Sequence, residues 1–327
     1  HMTDVNSIRF SQVGDSEVLR FETRALPTLE SGQVLVRHEV IGVNFIDTYQ
    51  RTGLYPVALP SGLGTEAAGV VEAVGANVTR AKVGDRVVYA SASLGAYSEA
   101  HVVPEKSLIA IPENIDSKIA AAMTLKGLTA AYLLLKTFPL QPNHSVLIHA
   151  AAGGVGSILT QWAKAIGAHV IGTVGRPEKV ALAKSQGCDE VILYREEDVP
   201  AAVKTLTAGR GVDVVYDSVG KDTFDMSINS LKSRGMLVSF GNASGAVPAF
   251  APLLLAQKGS LFITRPTLIH YVADPDEQQE LADALFKRVL NGEIKINVNH
   301  EFALNDAKSA HDALESGTTT GSVVLIP

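Results

Sequence analysis

The chain has 327 residues with the composition of an ordinary globular protein, 46% hydrophobic and 19% charged, and its formal net charge is −6. A chain longer than roughly 250–300 residues usually divides its core, so we expect two domains. The negative charge disfavours nucleic acid or an anionic membrane as the main partner, because both bind basic surfaces. No run of apolar residues reaches the roughly 18 needed for a membrane span, no signal-peptide pattern opens the chain, and the single cysteine, Cys188, suits a reducing compartment, so we expect a cytoplasmic protein without a membrane partner.

Residues 3–125 have the pattern of a β-rich domain. Apolar and polar residues alternate over 34–40 and 69–75, and a third short apolar run, 83–88, follows a turn. Glycines and prolines interrupt the pattern at short intervals. Many short strands separated by turns predict a barrel-like antiparallel domain.

From about Lys126 the pattern changes to alternating helices and strands. A helical stretch at 124–138 precedes strands predicted at 146–148, 169–174, 190–194, 212–217 and 236–240, with a last strand after Gly259. This alternation predicts a doubly wound parallel sheet. A helix at 276–291, strands at 294–298 and 321–326, and a short helix at 307–314 are predicted to return the chain to the first domain. We therefore expect an α/β protein in which residues 126–265 are inserted between residues 3–125 and 266–327.

The segment 146–168 combines a buried strand, a glycine-rich turn and a helix. Ala151, Gly153 and Gly156 occupy the three positions of a dinucleotide-binding fingerprint, with Ala replacing the first glycine. The second position lets backbone N–H groups close on a pyrophosphate, and the third lets the helix pack tightly on the strand. The helix N-terminus then attracts the anion. The sequence predicts that this turn binds a dinucleotide through Ala152, Gly153, Gly154, Val155 and Gly156.

The next strand indicates which dinucleotide binds. In NAD-binding units an acidic residue about 20 positions after the glycines accepts hydrogen bonds from the ribose 2′-hydroxyl. Here Gly175 and Arg176 occupy that point, and the first carboxylate is Glu178. Gly175 leaves room for a 2′-phosphate, and Arg176 and Lys179 can each add a charge-assisted hydrogen bond worth roughly 1.5–3 kcal/mol. Either cation alone can equally be a solvated charge at a helix start, but together with the missing acid they favour NADPH.

Several segments carry a family resemblance that spans essentially the whole chain. They include GVNFIDTYQRTGLYP (42–56), LPSGLGTEAAGVVEAVG (59–75), HAAAGGVG (149–156) and VVYDSVG (214–220). These segments resemble the zinc-independent quinone oxidoreductases of the medium-chain dehydrogenase/reductase superfamily, in the bacterial NADPH:quinone reductase branch related to zeta-crystallin. The resemblance implies a GroES-like β-barrel catalytic domain formed by both chain ends, an inserted Rossmann domain, and a homodimer built through the nucleotide-binding domains.

The resemblance also implies roles for individual residues. It assigns cofactor contacts, in addition to the glycine turn, to Thr129, Gly175, Lys179, Tyr194, Ser218, Phe240, Gly241, Ile263 and Arg265. It places Asn44, Ile46, Asp47, Tyr49 and Tyr55 around the nicotinamide and the acceptor. Asn44 and Tyr49 can hydrogen-bond a quinone oxygen or the carboxamide, and a tyrosine hydroxyl can deliver a proton as charge develops on that oxygen. The alternative for Tyr49 and Tyr55 is that they only line the acceptor site.

The chain departs from the zinc-dependent alcohol dehydrogenases of the same superfamily. Asn44 stands where those enzymes have a cysteine ligand, Thr65 and Glu66 stand where they have a His-Glu pair, and one cysteine cannot form their four-cysteine lobe. We therefore expect no metal, and a reaction that needs little polarisation, such as hydride or electron transfer from NADPH to an electron-poor quinone.

A second departure lies near the C-terminus. Related reductases commonly carry an arginine there, whereas this chain has Gly317 and Thr318. Binding of the 2′-phosphate must then depend more on Arg176, Lys179 and Tyr194.

Two other functions remain open at this stage. The same zinc-free pattern serves reductases of enones, alkenals and enoyl thioesters, which deliver hydride to a carbon β to a carbonyl. Relatives of zeta-crystallin also serve as lens structural proteins or as RNA-binding proteins that retain the cofactor. Single-strand binding needs a positive groove with stacking aromatics, and the net charge of −6 with 6% aromatic residues counts against it.

Overall fold

The computed structural model describes residues 4–327, which form two compact units. The first unit comprises the described residues up to Leu125 together with Val272–Leu290 and Lys295–Pro327, and the second comprises Lys126–Tyr271 and Asn291–Ile294. The domain limits expected from the sequence, 3–125 with 266–327 and 126–265, stay a prediction, and residue 3 lies outside the described part.

The N-terminal part of the first unit is built from short strands, as predicted. Its elements are β1 (Asp4–Phe10), β2 (Arg20–Ala25), β3 (Gln33–Val43), α1 (Phe45–Thr52), β4 (Ser61–Gly62), β5 (Ala67–Val74), β6 (Arg86–Tyr89), β7 (Ala100–Pro104) and β8 (Ile109–Ala110), followed by α2 (Ser117–Tyr132). Every strand pair among β1–β8 is antiparallel. The alternation of β3 is explained by burial, because Val34 and Val36 are inaccessible and join the core of this unit.

Helix α2 begins earlier than the sequence pattern predicted. The side chain of Asp116 accepts a hydrogen bond of 2.8 Å from the backbone N–H of Ile119 and so caps the helix. The stretch Ser117–Thr137 has a mean hydropathy of 1.3 and, among the residues 4–327 that the structure describes, is the one helical stretch long and apolar enough to cross a membrane. However, 67% of it is buried inside the protein, as in the core helix of a globular fold.

The second unit is a parallel sheet with helical crossovers. Its elements are β9 (Ser145–Ile148), α3 (Gly154–Ile166), β10 (His169–Val174), α4 (Val180–Ser185), β11 (Glu190–Leu193), α5 (Val199–Leu206), β12 (Val212–Asp217), α6 (Phe224–Ser230), β13 (Leu231–Ser239), α7 (Leu253–Gln257), β14 (Phe262–Thr264) and α8 (Leu268–Tyr271). The strand order is β11-β10-β9-β12-β13-β14, so the winding reverses between β9 and β12. Ligands bind at such a switch point, beyond the carboxyl ends of the strands.

The C-terminal part returns to the first unit. It contains α9 (Pro275–Leu290), β15 (Val298–Ala303), α10 (Ala307–Glu315) and β16 (Ser322–Ile326). Strand β16 pairs antiparallel with β3 and parallel with β15. The predicted strand at 294–298 is wrong, because β15 begins only at Val298. Ile294 is buried, 1% exposed, but lies outside the strands.

The third fingerprint glycine has a clear packing role in the second unit. A Cβ on Gly156 would lie 1.9 Å from the carbonyl oxygen of Ala150, which follows β9. Helix α3 can therefore approach the end of β9 only because this residue lacks a side chain.

Replacing Gly156 by alanine is expected to lower the free energy of unfolding by roughly 2–3 kcal/mol, because the added methyl must push the helix from the strand. Urea unfolding measures this loss. The control is Gly154→Ala in the same helix, where the new Cβ would meet only the flexible Lys126 side chain, at 3.0 Å. Equal losses in the two variants would contradict the tight-contact explanation.

Candidate functional site

The glycine turn presents the N-terminus of α3 to solvent. Ala150 has a left-handed backbone with φ of 50°, and its carbonyl accepts a 2.9 Å hydrogen bond from Gly153. Gly153 is the N-cap of α3, and no side chain caps the helix there. Because both Gly153 and Gly154 are exposed, the first N–H groups of the helix are accessible to an anion.

A cavity of about 550 Å³ lies beside this turn. The sequence predicted Ala152, Gly153, Gly175, Arg176 and Lys179 as cofactor residues, and the structure brings all five into its lining. The remaining lining residues are Ala150, Val174 and Arg195. The cavity therefore joins the helix N-terminus to a group of three cations.

Arg195 was missed by the sequence analysis. It follows Tyr194 just beyond β11, and its guanidinium carbon lies 5.1 Å from the centroid of the Tyr194 ring, a cation–π distance. The signal in the sequence was its position beyond a predicted parallel strand, next to a residue already assigned to the cofactor. Tyr194 itself is half-buried and does not line the cavity.

Gly175 lies close to both of these side chains. A Cβ at Gly175 would be 3.3 Å from Cε1 of Tyr194 and 3.5 Å from Nε of Arg195. An acidic side chain here would occupy the space between them. Arg176 forms a 3.5 Å ion pair with Glu178, and since both side chains are more than half exposed the pair is weak and can yield to a phosphate.

The other predicted cofactor residues of the second unit lie outside the cavity lining. Ser218 and Phe240 follow β12 and β13, and a Cβ on Gly241 would lie 2.8 Å from the carbonyl oxygen of Ser218, so these two strand ends touch. Gly154, Val155 and Gly156 lie in α3, Thr129 in α2 and Ile263 in β14, while Arg265 follows β14 and is exposed.

A buried polar network supports the strand ends beneath the cavity. The hydroxyl of Ser227 donates to Oδ2 of Asp217 at 2.7 Å. The Ser227 oxygen therefore accepts from Nε2 of His149, at 2.9 Å. The other ring nitrogen of His149, Nδ1, accepts from the hydroxyl of Thr173 at 2.7 Å. Burial lowers the pKa of His149, and the charge of Asp217 opposes that shift. Oδ1 of Asp217 accepts the N–H groups of Val219 and Gly220, which fixes the loop after β12. His149 is thus a buried residue whose two ring nitrogens are both hydrogen-bonded within the fold.

The first unit holds the predicted residue Asn44 at the junction of β3 and α1. Its backbone N–H donates to Oδ2 of Asp47 at 2.9 Å, and its side-chain Nδ2 donates to Oε1 of Glu66 at 2.9 Å. Glu66 is 1% exposed, and its other oxygen accepts the N–H of Leu125 at 2.7 Å. Since a carboxylate can only accept, the Asn44 amide nitrogen must face Glu66.

Aromatic side chains from α1 and the following loop lie together. The rings of Tyr49 and Tyr55 are 5.4 Å apart, and Phe45, which the sequence analysis missed, stacks on Tyr49 at 6.4 Å. Phe45 and Tyr55 are 52% and 47% exposed, which is unusual for neighbouring aromatic rings and typical of a ligand surface. Desolvation by burial and then Tyr55 raise the pKa of Tyr49, so its hydroxyl stays protonated at neutral pH.

The donor set of the first unit does not suit zinc. Asn44 and Thr65 supply neither thiolate nor imidazole, and Glu66 already accepts two hydrogen bonds. Within residues 4–327 no group of three histidine, cysteine, aspartate or glutamate side chains could hold a metal ion.

Comparison with known proteins gives matches along both units. Residues 30–113 match the alcohol dehydrogenase GroES-like domain, and residues 154–285 match the zinc-binding dehydrogenase family. The quinone oxidoreductase of Pseudomonas aeruginosa is 52% identical over 323 residues, covering 98% of this chain and 99% of that protein. The structure of Escherichia coli quinone oxidoreductase complexed with NADPH is 48% identical, with a TM-score of 0.92 over 98% of this chain and 100% of that one.

The chain belongs to the medium-chain dehydrogenase/reductase superfamily. A 2-haloacrylate reductase from Burkholderia sp is also 45% identical over 303 residues, covering 90% of this chain and 91% of that protein. The predicted fold class, a Rossmann sheet with a GroES-like domain, is therefore confirmed. This chain carries the fold of the superfamily without zinc-ligand chemistry at Asn44 and Thr65.

The three basic side chains that line the cavity lead to a prediction about the preference between NADPH and NADH. Arg195→Ala is expected to weaken NADPH binding about tenfold, because one charge-assisted hydrogen bond to the 2′-phosphate is lost, and to change NADH binding less than about twofold. Quenching of protein fluorescence or nicotinamide emission measures both dissociation constants. Arg210→Ala removes an exposed cation of the same unit outside the cavity and is the control. An equal loss of NADH and NADPH affinity in Arg195→Ala would show that Arg195 does not bind the 2′-phosphate.

Proposed function

We propose that this protein reduces quinones with NADPH. The observation that carries the proposal is the cavity in which an accessible helix N-terminus adjoins Arg176, Lys179 and Arg195, with Gly175 where an NAD-binding protein has its acid. Full-length relatives named quinone oxidoreductases at about half identity support it, as does the related structure that contains NADPH.

The residues of the second unit account for cofactor binding. The backbone from Ala152 to Gly156 holds the pyrophosphate, and Arg176, Lys179 and Arg195 neutralise the 2′-phosphate. We propose that Tyr194 lies beside the adenosine and that the strand ends complete the binding surface. These further contacts are Thr129, Ser218, Phe240, Gly241, Ile263 and Arg265.

The residues of the first unit account for the acceptor. Bound NADPH supplies a hydride or electrons, so the protein has to orient two planar rings and to manage one proton. We propose that Asn44, Tyr49 and Tyr55 do this. Tyr49 is a protonated hydroxyl among aromatic rings and can donate to a quinone oxygen, while Tyr55 and Phe45 form the apolar wall. The side chains assigned here supply no strong electrophile for an aldehyde, whereas a quinone is already electron-poor.

Reduction of an activated carbon–carbon double bond is the second candidate. The relative named 2-haloacrylate reductase favours it, since it matches this chain over 90% of its length. Such a reaction would use the same residues, with hydride delivered to the carbon β to a carbonyl. The third alternative, a structural or RNA-binding protein that keeps its cofactor, gains no support from the net charge of −6.

A cytoplasmic location is also proposed. Cys188 is buried, and burial raises the pKa of its thiol to about 11, which makes it unreactive as a disulfide partner. The protein has the single cysteine expected of a chain that folds in a reducing compartment.

The substrate assignment is tested by NADPH oxidation with 1,4-benzoquinone, 9,10-phenanthrenequinone and a 2-alkenal, with and without EDTA. We expect EDTA-insensitive turnover of the quinones and slower turnover of the alkenal. In Tyr49→Phe the kcat for quinone should fall by roughly 10²-fold where the hydroxyl donates the proton, and by less than about threefold where it only lines the site. Tyr55→Phe is the matched control for loss of a neighbouring hydroxyl. Turnover of the alkenal alone would move the function to double-bond reduction.

We further propose a homodimer formed through the second unit. Strand β14 is the last strand of its sheet, and its outer edge offers unpaired backbone groups. Phe262 on this strand and Ile269 on α8 are 57% and 67% exposed, so apolar surface adjoins that edge. A second copy would cover both.

The dimer is tested by replacing Phe262 with arginine and measuring the sedimentation coefficient. We expect a monomer, because a charge would be buried without a partner in the interface. Phe21→Arg is the control, since Phe21 is an exposed phenylalanine on β2, an edge strand of the first unit. A dimeric Phe262→Arg variant would rule out this edge as the interface.

A further inference from the structure

Helix α1 carries an arginine that is almost completely buried. Arg51 is 1% exposed and forms a bidentate pair with Glu315 at the end of α10, with distances of 2.6 and 2.8 Å. Its Nε donates to the carbonyl oxygen of Gly14 at 3.1 Å. A buried guanidinium is costly unless each of its donors finds an acceptor, so these contacts fix the side chain in one position.

The guanidinium also determines the state of a buried histidine. Nη1 of Arg51 lies 2.8 Å from Nδ1 of His311, which is fully buried on α10. Because a guanidinium can only donate, Nδ1 of His311 must accept, and the ring hydrogen must be on Nε2. Burial, followed by the Arg51 charge, lowers the pKa of His311 to about 4, so the ring is neutral; Glu315 and Asp312 oppose the shift.

The next two hydrogen bonds then have a fixed direction. Nε2 of His311 donates to the hydroxyl oxygen of Tyr97 at 3.0 Å, and the Tyr97 hydroxyl donates to Oδ2 of Asp47 at 2.7 Å. The ring planes of Tyr97 and His311 are almost perpendicular, at 85°. Desolvation by burial, followed by the charge of Asp47, raises the pKa of Tyr97, so this donor stays protonated.

The last acceptor in this series also holds the backbone of Asn44. Oδ2 of Asp47 accepts both the Tyr97 hydroxyl and the Asn44 N–H, and Asp47, Tyr97 and His311 are inaccessible to solvent. The hydrogen bonds run from Arg51 through His311 and Tyr97 to Asp47. Each of them has a fixed donor and acceptor, because the Arg51 guanidinium can only donate and the Asp47 carboxylate can only accept. A series in which these donors and acceptors are exchanged is therefore excluded.

We propose that Arg51, His311 and Tyr97 are positioning residues for Asn44, which they hold in its reactive place through the carboxylate of Asp47. The inference rests on the proposed function, in which Asn44 faces the nicotinamide and the acceptor. All three side chains are at most 1% exposed, so they lack a surface that could contact substrate or cofactor. Their effect on turnover must pass through Asn44, and this distinguishes positioning from general support of the fold.

A double-mutant cycle tests that route. Tyr97→Phe is expected to reduce kcat for quinone about tenfold and to change the quinone KM less than about twofold, because Asp47 loses a donor and Asn44 loses its alignment. In an Asn44→Ala background the same substitution should change kcat less than about twofold, since there is no Asn44 side chain to align. A tenfold loss that persists in the Asn44→Ala background would overturn the proposal, as would a normal kcat in Tyr97→Phe alone.

Tyr89→Phe is the matched control. Tyr89 is also fully buried in the core of the first unit, and its hydroxyl bonds a histidine, Nε2 of His38, at 2.8 Å. Loss of this hydroxyl should lower the thermal midpoint as Tyr97→Phe does but leave kcat unchanged. An equal drop in kcat in Tyr89→Phe would show that any buried hydroxyl has the same effect.

A second pair of variants tests the direction of the series. In His311→Gln the amide oxygen can accept from Arg51 and the amide nitrogen can donate to Tyr97, so we expect kcat within about threefold of the parent. In His311→Leu both bonds are lost, and kcat should fall as in Tyr97→Phe. Equal kcat values in the two variants, with both folded by circular dichroism, would contradict the oriented series.

Failure of the proposed function would be visible separately. Quinone reduction fails where the parent protein does not turn over a quinone. If the parent turns over the alkenal instead, the double-mutant cycle is measured on the kcat for the alkenal, and if it turns over neither, a binding measurement is needed. The same cycle is then measured on the NADPH dissociation constant, which Asn44→Ala is expected to raise. If the effects of Tyr97→Phe and Asn44→Ala on the NADPH dissociation constant are not additive, the positioning role is supported. Additive effects on that constant would refute it.

Discussion

The close contact between helix α3 and the end of β9 determines the architecture of the second unit. With 1.9 Å between a Cβ at Gly156 and the Ala150 oxygen, no side chain fits there, and the helix begins directly beyond the strand. That placement aims the N–H groups of α3 across the carboxyl ends of β9 and β10. The loops that follow β10 and β11 and hold Gly175 and Arg195 then lie beside them, and the Asp217 network fixes the neighbouring strand end. The absence of a side chain at Gly156 thus places the helix N-terminus beside the cations of the cavity.

The two units build their sites by different physical means. The cavity of the second unit combines backbone N–H groups with exposed cations, and their attraction for an anion tolerates small shifts because charge attraction is not directional. The Asn44 site uses buried, short and oriented hydrogen bonds, and each of them would leave an unsatisfied polar group if broken. Binding can therefore be adjusted by surface substitution, whereas the alignment of Asn44 depends on core residues far away in sequence, such as His311.

Local patterns in the sequence predicted the parallel sheet well, since β10 and β12 have the predicted limits of 169–174 and 212–217. Each is a buried strand next to clear turn residues, so periodicity alone identifies it. The strand at 294–298 was wrong because one buried residue, Ile294, produced an alternating pattern without a partner strand. Arg195 and Phe45 were missed for a different reason, since their roles depend on which loops meet at a site, and that is decided by strand order.

A buried carboxylate determines the orientation of the Asn44 amide. Glu66 can only accept, so it takes one of the two amide hydrogens of Asn44 and fixes which side of the amide carries the nitrogen. The second amide hydrogen is still a donor, and a quinone oxygen or a carboxamide oxygen can accept it. In the proposed function Tyr49 also donates to the quinone oxygen, and its raised pKa keeps its hydroxyl protonated. The carboxylate of Glu66 therefore fixes the orientation of the Asn44 amide, and in the proposed function the tyrosine hydroxyl is the group that gives up a proton.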